Sequence, residues 1–179
     1  LSASAHKFNG PKGIGFLYIR NGVILPPYAD GGAQESAYRA GTENVASIVG
    51  MAVALKENCD SLEQNQQHIL RMERKIISNL NEAGIAYKRN GGGSKLPGLL
   101  SLSFPEKDGE AILHRMDLMG ISISTGSACD SVNTEISHVL QAIRLDEVYA
   151  KGTIRISLGK SNTEADAENI SRALIKTVS

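Results

Sequence analysis

Apolar and polar positions along the chain change period several times. Strand-forming residues fill Gly13–Arg20 (GIGFLYIR), and Leu99–Phe104 (LLSLSF) alternates with a period of two, the signature of a half-buried strand. Ile85–Lys88, Ile121–Ser124 and Thr153–Leu158 are predicted as further strands. Between them the period becomes helical. Val45, Ile48, Val49, Ala52 and Val53 share one face of a predicted helix with Thr42 as its N-cap. Leu62, Ile69, Met72, Ile76, Ile77 and Leu80 define the inward face of a second helix over about Ser61–Ala83, stopped by Gly84. Shorter helices are predicted at Glu110–Met119, closed by Gly120, and near Glu135–Arg144. A last helix opens with Thr163-Glu164-Ala165-Asp166, a capping-box pattern.

Turn residues punctuate these elements. Asn21-Gly22 predicts a hairpin turn leading into a strand at Val23–Leu25, which Pro26-Pro27 ends. Gly31–Thr42 is a loop with two glycine sites, and Gly91-Gly92-Gly93-Ser94 is a second open loop. Strands and helices in this rhythm predict an α/β or α+β architecture, a sheet covered by helices. A boundary is expected near residue 60, dividing the chain into 1–60 and 61–179.

Composition narrows the class. The chain has 179 residues, 41% hydrophobic and 21% charged, enough for a real core. Its formal net charge of +0 leaves no electrostatic footprint for direct nucleic-acid binding or for an anionic membrane. No apolar run approaches a membrane span, and no secretory pattern is seen, so a cytoplasmic location is expected. Cys59 and Cys129 are read as free thiols in a reducing compartment. The chain opens on Leu1 rather than Met, which we read as a piece of something longer or an expression product.

Several residues are candidates for chemistry. Lys7 follows His6 among small residues just before a strand; it is either a solvated surface lysine or a desolvated amine of lowered pKa that can form a Schiff base. Gly10–Gly15 carries neither phosphate-loop nor dinucleotide spacing. Arg39-Ala40-Gly41-Thr42, at a predicted helix start, is a candidate anion site or a simple cap. Alternation sets Arg155 opposite Ile154 and Ile156, where a fixed guanidinium could hold a carboxylate. His6, His68, His114 and His138 lack ligand spacing to the cysteines, so no metal site is expected. Cys129, in STGSACDS, is a thiol among small residues: poor core material but a good mobile nucleophile. Its neighbour Asp130 disfavours the thiolate unless it points away.

SAHKFNGPKGIGFLY, GGAQE, RAGTEN, STGSAC and IRISLG, in this order, resemble the cysteine desulfurase family, NifS-like fold type I enzymes that use pyridoxal 5'-phosphate. The resemblance runs over essentially the whole chain. It implies that Lys7 is the Schiff-base lysine and that Ser4 and His6 lie at phosphate-binding and cofactor-adjacent positions. It likewise implies that Thr42 reaches the phosphate of the neighbouring subunit in a homodimer, that Cys129 is the sulfur-accepting nucleophile and that Arg155 holds the carboxylate of L-cysteine. The products implied are L-alanine and a persulfide on Cys129, passed to a sulfur-acceptor protein for iron–sulfur assembly or tRNA thiolation.

The same resemblance implies a preceding half that stacks on the cofactor ring and pairs with its nitrogen. Residues 1–60 would then be the tail of the large cofactor domain, and 61–179 the small C-terminal α/β domain carrying the cysteine loop. The isolated chain is expected to be inactive. A selenocysteine lyase on the same scaffold, or a non-catalytic partner-binding domain, are the alternatives.

Overall fold

In the computed structural model, residues 1–125 and 136–179 are described, and they divide into two compact units, Leu1–Leu62 and Glu63–Ser179. In the first, β1 (Ser2–Ser4) pairs antiparallel with β2 (Gly15–Leu17), setting Ser2 opposite Leu17 and Ser4 opposite Gly15. A short 3₁₀ helix, Ala5–Phe8, follows β1 directly. Helix α1 spans Val45–Asp60. The predicted hairpin through Asn21-Gly22 is corrected: Val23 N–H closes a turn on the Arg20 carbonyl, with Gly22 at φ 85°, but Val23–Leu25 finds no strand partner among the described residues. Strand propensity without a neighbouring edge makes no ladder.

The second unit is built on a four-stranded sheet in the order β3 (Lys88–Arg89), β4 (Leu99–Ser103), β6 (Thr153–Ser157), β5 (Ser124–Thr125). Every neighbouring pair is antiparallel, so this unit is α+β. Leu100, Leu102, Ile154 and Ile156 project from one face into the core. Helix α2 (Leu62–Glu82) supplies Met72, Ile76 and Leu80 at four-residue spacing. Helix α3 (Gly109–Asp117) adds Ile112 and Met116, and α6 (Glu164–Val178) adds Ala167, Ile170, Leu174 and Val178. Leu62, expected to face inward, is 53% exposed because α2 begins there, before its apolar stripe reaches the sheet.

Local chemistry sets the ends. Gly84, at φ 66°, lets α2 close with Ile85 N–H on the Leu80 carbonyl and Gly84 N–H on that of Asn81, a Schellman arrangement. The capping box is formed: Thr163 Oγ1 accepts from Asp166 N–H at 3.2 Å, and Asp166 Oδ2 accepts from Thr163 N–H at 2.8 Å. The helix expected near Glu135–Arg144 is described as α4 (His138–Ala142), capped by Ser137; Glu135 lies outside the described residues. A short helix, α5 (Glu147–Ala150), was not expected from the pattern and is capped by Asp146. Among the described residues no helix is long and apolar enough to cross a membrane.

Glu73 breaks the apolar rule on α2. It lies on the buried side, where Oε1 takes Arg89 Nη2 at 2.6 Å and Oε2 accepts Gly98 N–H at 2.8 Å. The carboxylate thereby ties both ends of the 90–98 loop to the helix. Gly98 has no alternative residue type: at φ 79° a Cβ would run into Ile69 Cγ2 and approach the Leu158 carbonyl oxygen at 3.0 Å.

Candidate functional site

Ser4, His6 and Lys7 sit at the β1 exit and on the 3₁₀ helix, and that segment is well anchored. Ala5 is completely buried, its N–H bonds to the Ile14 carbonyl at 3.0 Å, and its carbonyl accepts Gly10 N–H at 2.8 Å. Asn58 of α1 donates through Nδ2 to the carbonyls of Phe8 and Ala54, both at 2.8 Å. Asn9 takes a left-handed turn at φ 68° to close the helix. The backbone under Lys7 is therefore held, while the side chains of Ser4, His6 and Lys7 all reach solvent. The desolvated setting considered for Lys7 is not supplied by residues 1–62, since nothing in that unit covers the amine.

Thr42 is not the cap of α1. The helix starts at Val45, and Asn44 Oδ1 accepts Ser47 N–H at 3.2 Å; asparagine, two positions later, fits the geometry that threonine was expected to fill. Thr42 stays exposed on the preceding loop. That loop is stitched by Gly41 N–H on Gln34 Oε1 and by Arg39 Nη1 on the Gly41 carbonyl, each 3.3 Å. Glu35, Ser36 and Ala37 all have positive φ, a costly left-handed run for residues with a Cβ.

Arg155 lies in the second unit on β6, between β4 and β5, with Ser101 and Ser124 directly across from it. Ile154 and Ile156 are buried on the opposite face, as alternation required. The arginine is half-buried, and its Nε is buried without a hydrogen-bond partner among the described residues. A buried donor left unpaired costs about 1–3 kcal/mol, so the position is poised for an acceptor. Cys129 lies outside the described residues. Cys59 is a free, exposed thiol near the end of α1.

The pattern missed a polar cluster on Arg155's side of the sheet. Asn90 Nδ2 donates to Ser101 Oγ at 3.0 Å and Ser103 Oγ at 2.7 Å, and Ser103 Oγ pairs with Thr153 Oγ1 at 2.7 Å. Alternation in LLSLSF already set Ser101 and Ser103 on one face, but no sequence signal brought Asn90 to them.

For a phosphate-bearing carbonyl cofactor the donor set fits. Ser4 caps the 3₁₀ helix without spending its hydroxyl on a cap bond, and Lys7 presents a primary amine with no ion pair among the described residues. Among the described residues, no group of three His, Cys, Asp or Glu could hold a metal ion.

Comparison with known proteins assigns the chain's kinship. The cysteine desulfurase IscS of Dictyoglomus turgidum is 42% identical over 173 residues, covering 93% of this chain and 42% of the relative. That of Methanosarcina thermophila is 38% identical over 170 residues, covering 95% and 42%. Among solved structures, a NifS-like protein superposes with a TM-score of 0.85 at 37% identity, over 98% of this chain and 44% of that one. A NifS-like protein from Rickettsia africae gives 0.86 at 29% identity, over 98% and 46%. The chain thus spans less than half the length of these relatives. The profile of the aminotransferase class-V family matches residues 1–170, nearly the whole sequence, and the chain belongs to that family.

Proposed function

We propose that this chain is the C-terminal portion of a cysteine desulfurase, a cytoplasmic homodimer that uses pyridoxal 5'-phosphate to take sulfur from L-cysteine and hand it to an acceptor protein. Residues 1–60 belong to its cofactor domain and 61–179 to its small domain. What carries the reading is the likeness, along nearly the whole chain, to relatives named cysteine desulfurase, together with a thiol at Cys129.

When bound, the cofactor supplies an electron sink for the charge left at the substrate Cα. The chain's own residues do the rest. Ser4, with Thr42 from the neighbouring subunit, would hold the phosphate through hydroxyl donors, and His6 would serve as a cofactor-binding residue. Lys7 Nζ would hold the cofactor's carbonyl carbon and, once freed, would accept the Cα proton and return it. Arg155 takes the substrate carboxylate from the central strand β6, which orients the bonds that react. Cys129 attacks the substrate sulfur as thiolate. The new S–S bond forms as the Cβ–S bond breaks with its electron pair left on carbon; a proton added at Cβ and the return of the Cα proton complete alanine.

The test is the Cys129→Ser variant of the intact protein. Mass spectrometry of the alkylated protein is expected to show no persulfide there, with Lys7-dependent cofactor absorbance unchanged. Alanine released from cysteine at the parent rate would overturn the assignment.

A further inference from the structure

The cavity between the glycine loop after β3 and the corner joining α4 to α5 has a volume of about 420 Å³. Lys88 and Arg144 both line it, and Ile143 and Leu145 add apolar lining. We propose that this cavity is an oxyanion site, taking the phosphate group of a small molecule.

Four features of the cavity converge on that chemistry. Lys88 Nζ is held 4.1 Å from the centroid of the Tyr149 ring, which places a cation without neutralising it. Arg144 makes no ion pair or side-chain hydrogen bond among the described residues. Arg144 also occupies the C-terminal turn of α4 at φ 54°, where its N–H bonds to the Gln141 carbonyl and Leu145 N–H to that of Leu140. That position favours glycine, so the arginine sits there against its backbone preference. Finally, the N–H groups of Gly91 and Gly92 donate to nothing among the described residues, and Gly91 stands at φ 88°. Backbone donors and two cations lining one cavity are the composition of a phosphate cradle.

The carboxylates of Asp146 and Glu73 have partners of their own. Asp146, on the cavity wall, accepts Val148 N–H at 3.0 Å, and Glu73 is taken by Arg89. The cavity exceeds what one phosphate fills, and the apolar side formed by Ile143 and Leu145 suits a phosphomonoester with a small organic body.

The test is an amide NMR titration of the full chain with two probes, inorganic phosphate and phenyl phosphate. Both are expected to shift the Gly91 and Gly92 amides at stoichiometric saturation, phenyl phosphate binding more tightly because it reaches the apolar side. Arg144→Gly relieves the left-handed strain, so it should raise the melting temperature and still weaken phosphate binding about tenfold, the loss of one charge-assisted contact. Lys88→Met should weaken it similarly. Unshifted Gly91 and Gly92 amides, or affinities within about twofold of the parent in both variants, would overturn the site. Equal affinity for both probes would overturn the organic-phosphate assignment.

Discussion

Removing the Glu73 carboxylate tests the packing logic of the second unit directly. Its side chain is only 8% exposed and meets two donors, Arg89 Nη2 at 2.6 Å and Gly98 N–H at 2.8 Å. Glu73→Ala leaves a guanidinium and a backbone N–H facing an apolar pocket. Breaking a buried ion pair from one side costs about 3–5 kcal/mol. Arg89 remains 27% exposed and can draw some water, which places the expected loss near the lower end, about 3 kcal/mol. Glu73→Gln is the sharper probe. Its amide oxygen can serve Arg89 or Gly98, but its NH₂ then confronts the other donor, so one of the two bonds is lost in either orientation. A hydrogen bond to a charged group is worth about 1.5–3 kcal/mol, and the glutamine variant should fall within that range. Urea unfolding followed by circular dichroism reads both losses, and Glu73→Leu combined with Arg89→Met should recover the share due to the stranded guanidinium while still losing about 1–3 kcal/mol to the unpaired Gly98 N–H. If Glu73→Ala cost under about 1 kcal/mol, or if the double variant lost the sum of the single losses, Glu73 would not be the tie that closes the 90–98 loop.

Three further outcomes follow from named groups. Burial pushes the Tyr87 hydroxyl above its ordinary value, partly offset by the Arg89 charge and by the bond to Asn81. The neutral form is the favoured one, so this contribution is complete below the unfolded tyrosine's pKa and lost as pH rises through the folded value; Tyr87→Phe should flatten the alkaline limb of the stability curve. At α6, Thr163→Ala should cost about 1 kcal/mol in the same urea assay. The Thr163 N–H, with its hydroxyl next, holds the Asp166 carboxyl below the usual range. That share of stability is present above the unfolded carboxylate's pKa and lost as pH falls through the folded value, so Asp166→Asn should shallow the acid limb.

Much of this architecture was legible from local pattern. The apolar stripe of α2, the alternation of LLSLSF and TIRIS, and the α6 capping box each depend on contacts between residues close in sequence, or on a face chosen by periodicity. Lys7, Thr42 and Arg155 stood out through ordered motifs, which carry kinship but no geometry. What the sequence could not decide depends on residues far apart along the chain. A ladder needs a partner edge, so Val23–Leu25 remains unpaired despite a strong turn dipeptide before it, while Ser2–Ser4 pairs with Gly15–Leu17. A cap is chosen by where the chain enters its helix, which gave the start of α1 to Asn44 rather than Thr42. Glu73 looked like a surface charge until the fold brought Arg89 and Gly98 to it, because burial of a carboxylate is decided by the donors that tertiary packing delivers. Arg144 is likewise brought to the Lys88–Gly92 stretch only by the fold, through the α4–α5 corner. Sequence set the periodicities and the reactive groups; tertiary structure chose their partners, since hydrogen bonds and charge pairs act over a few ångströms regardless of separation along the chain.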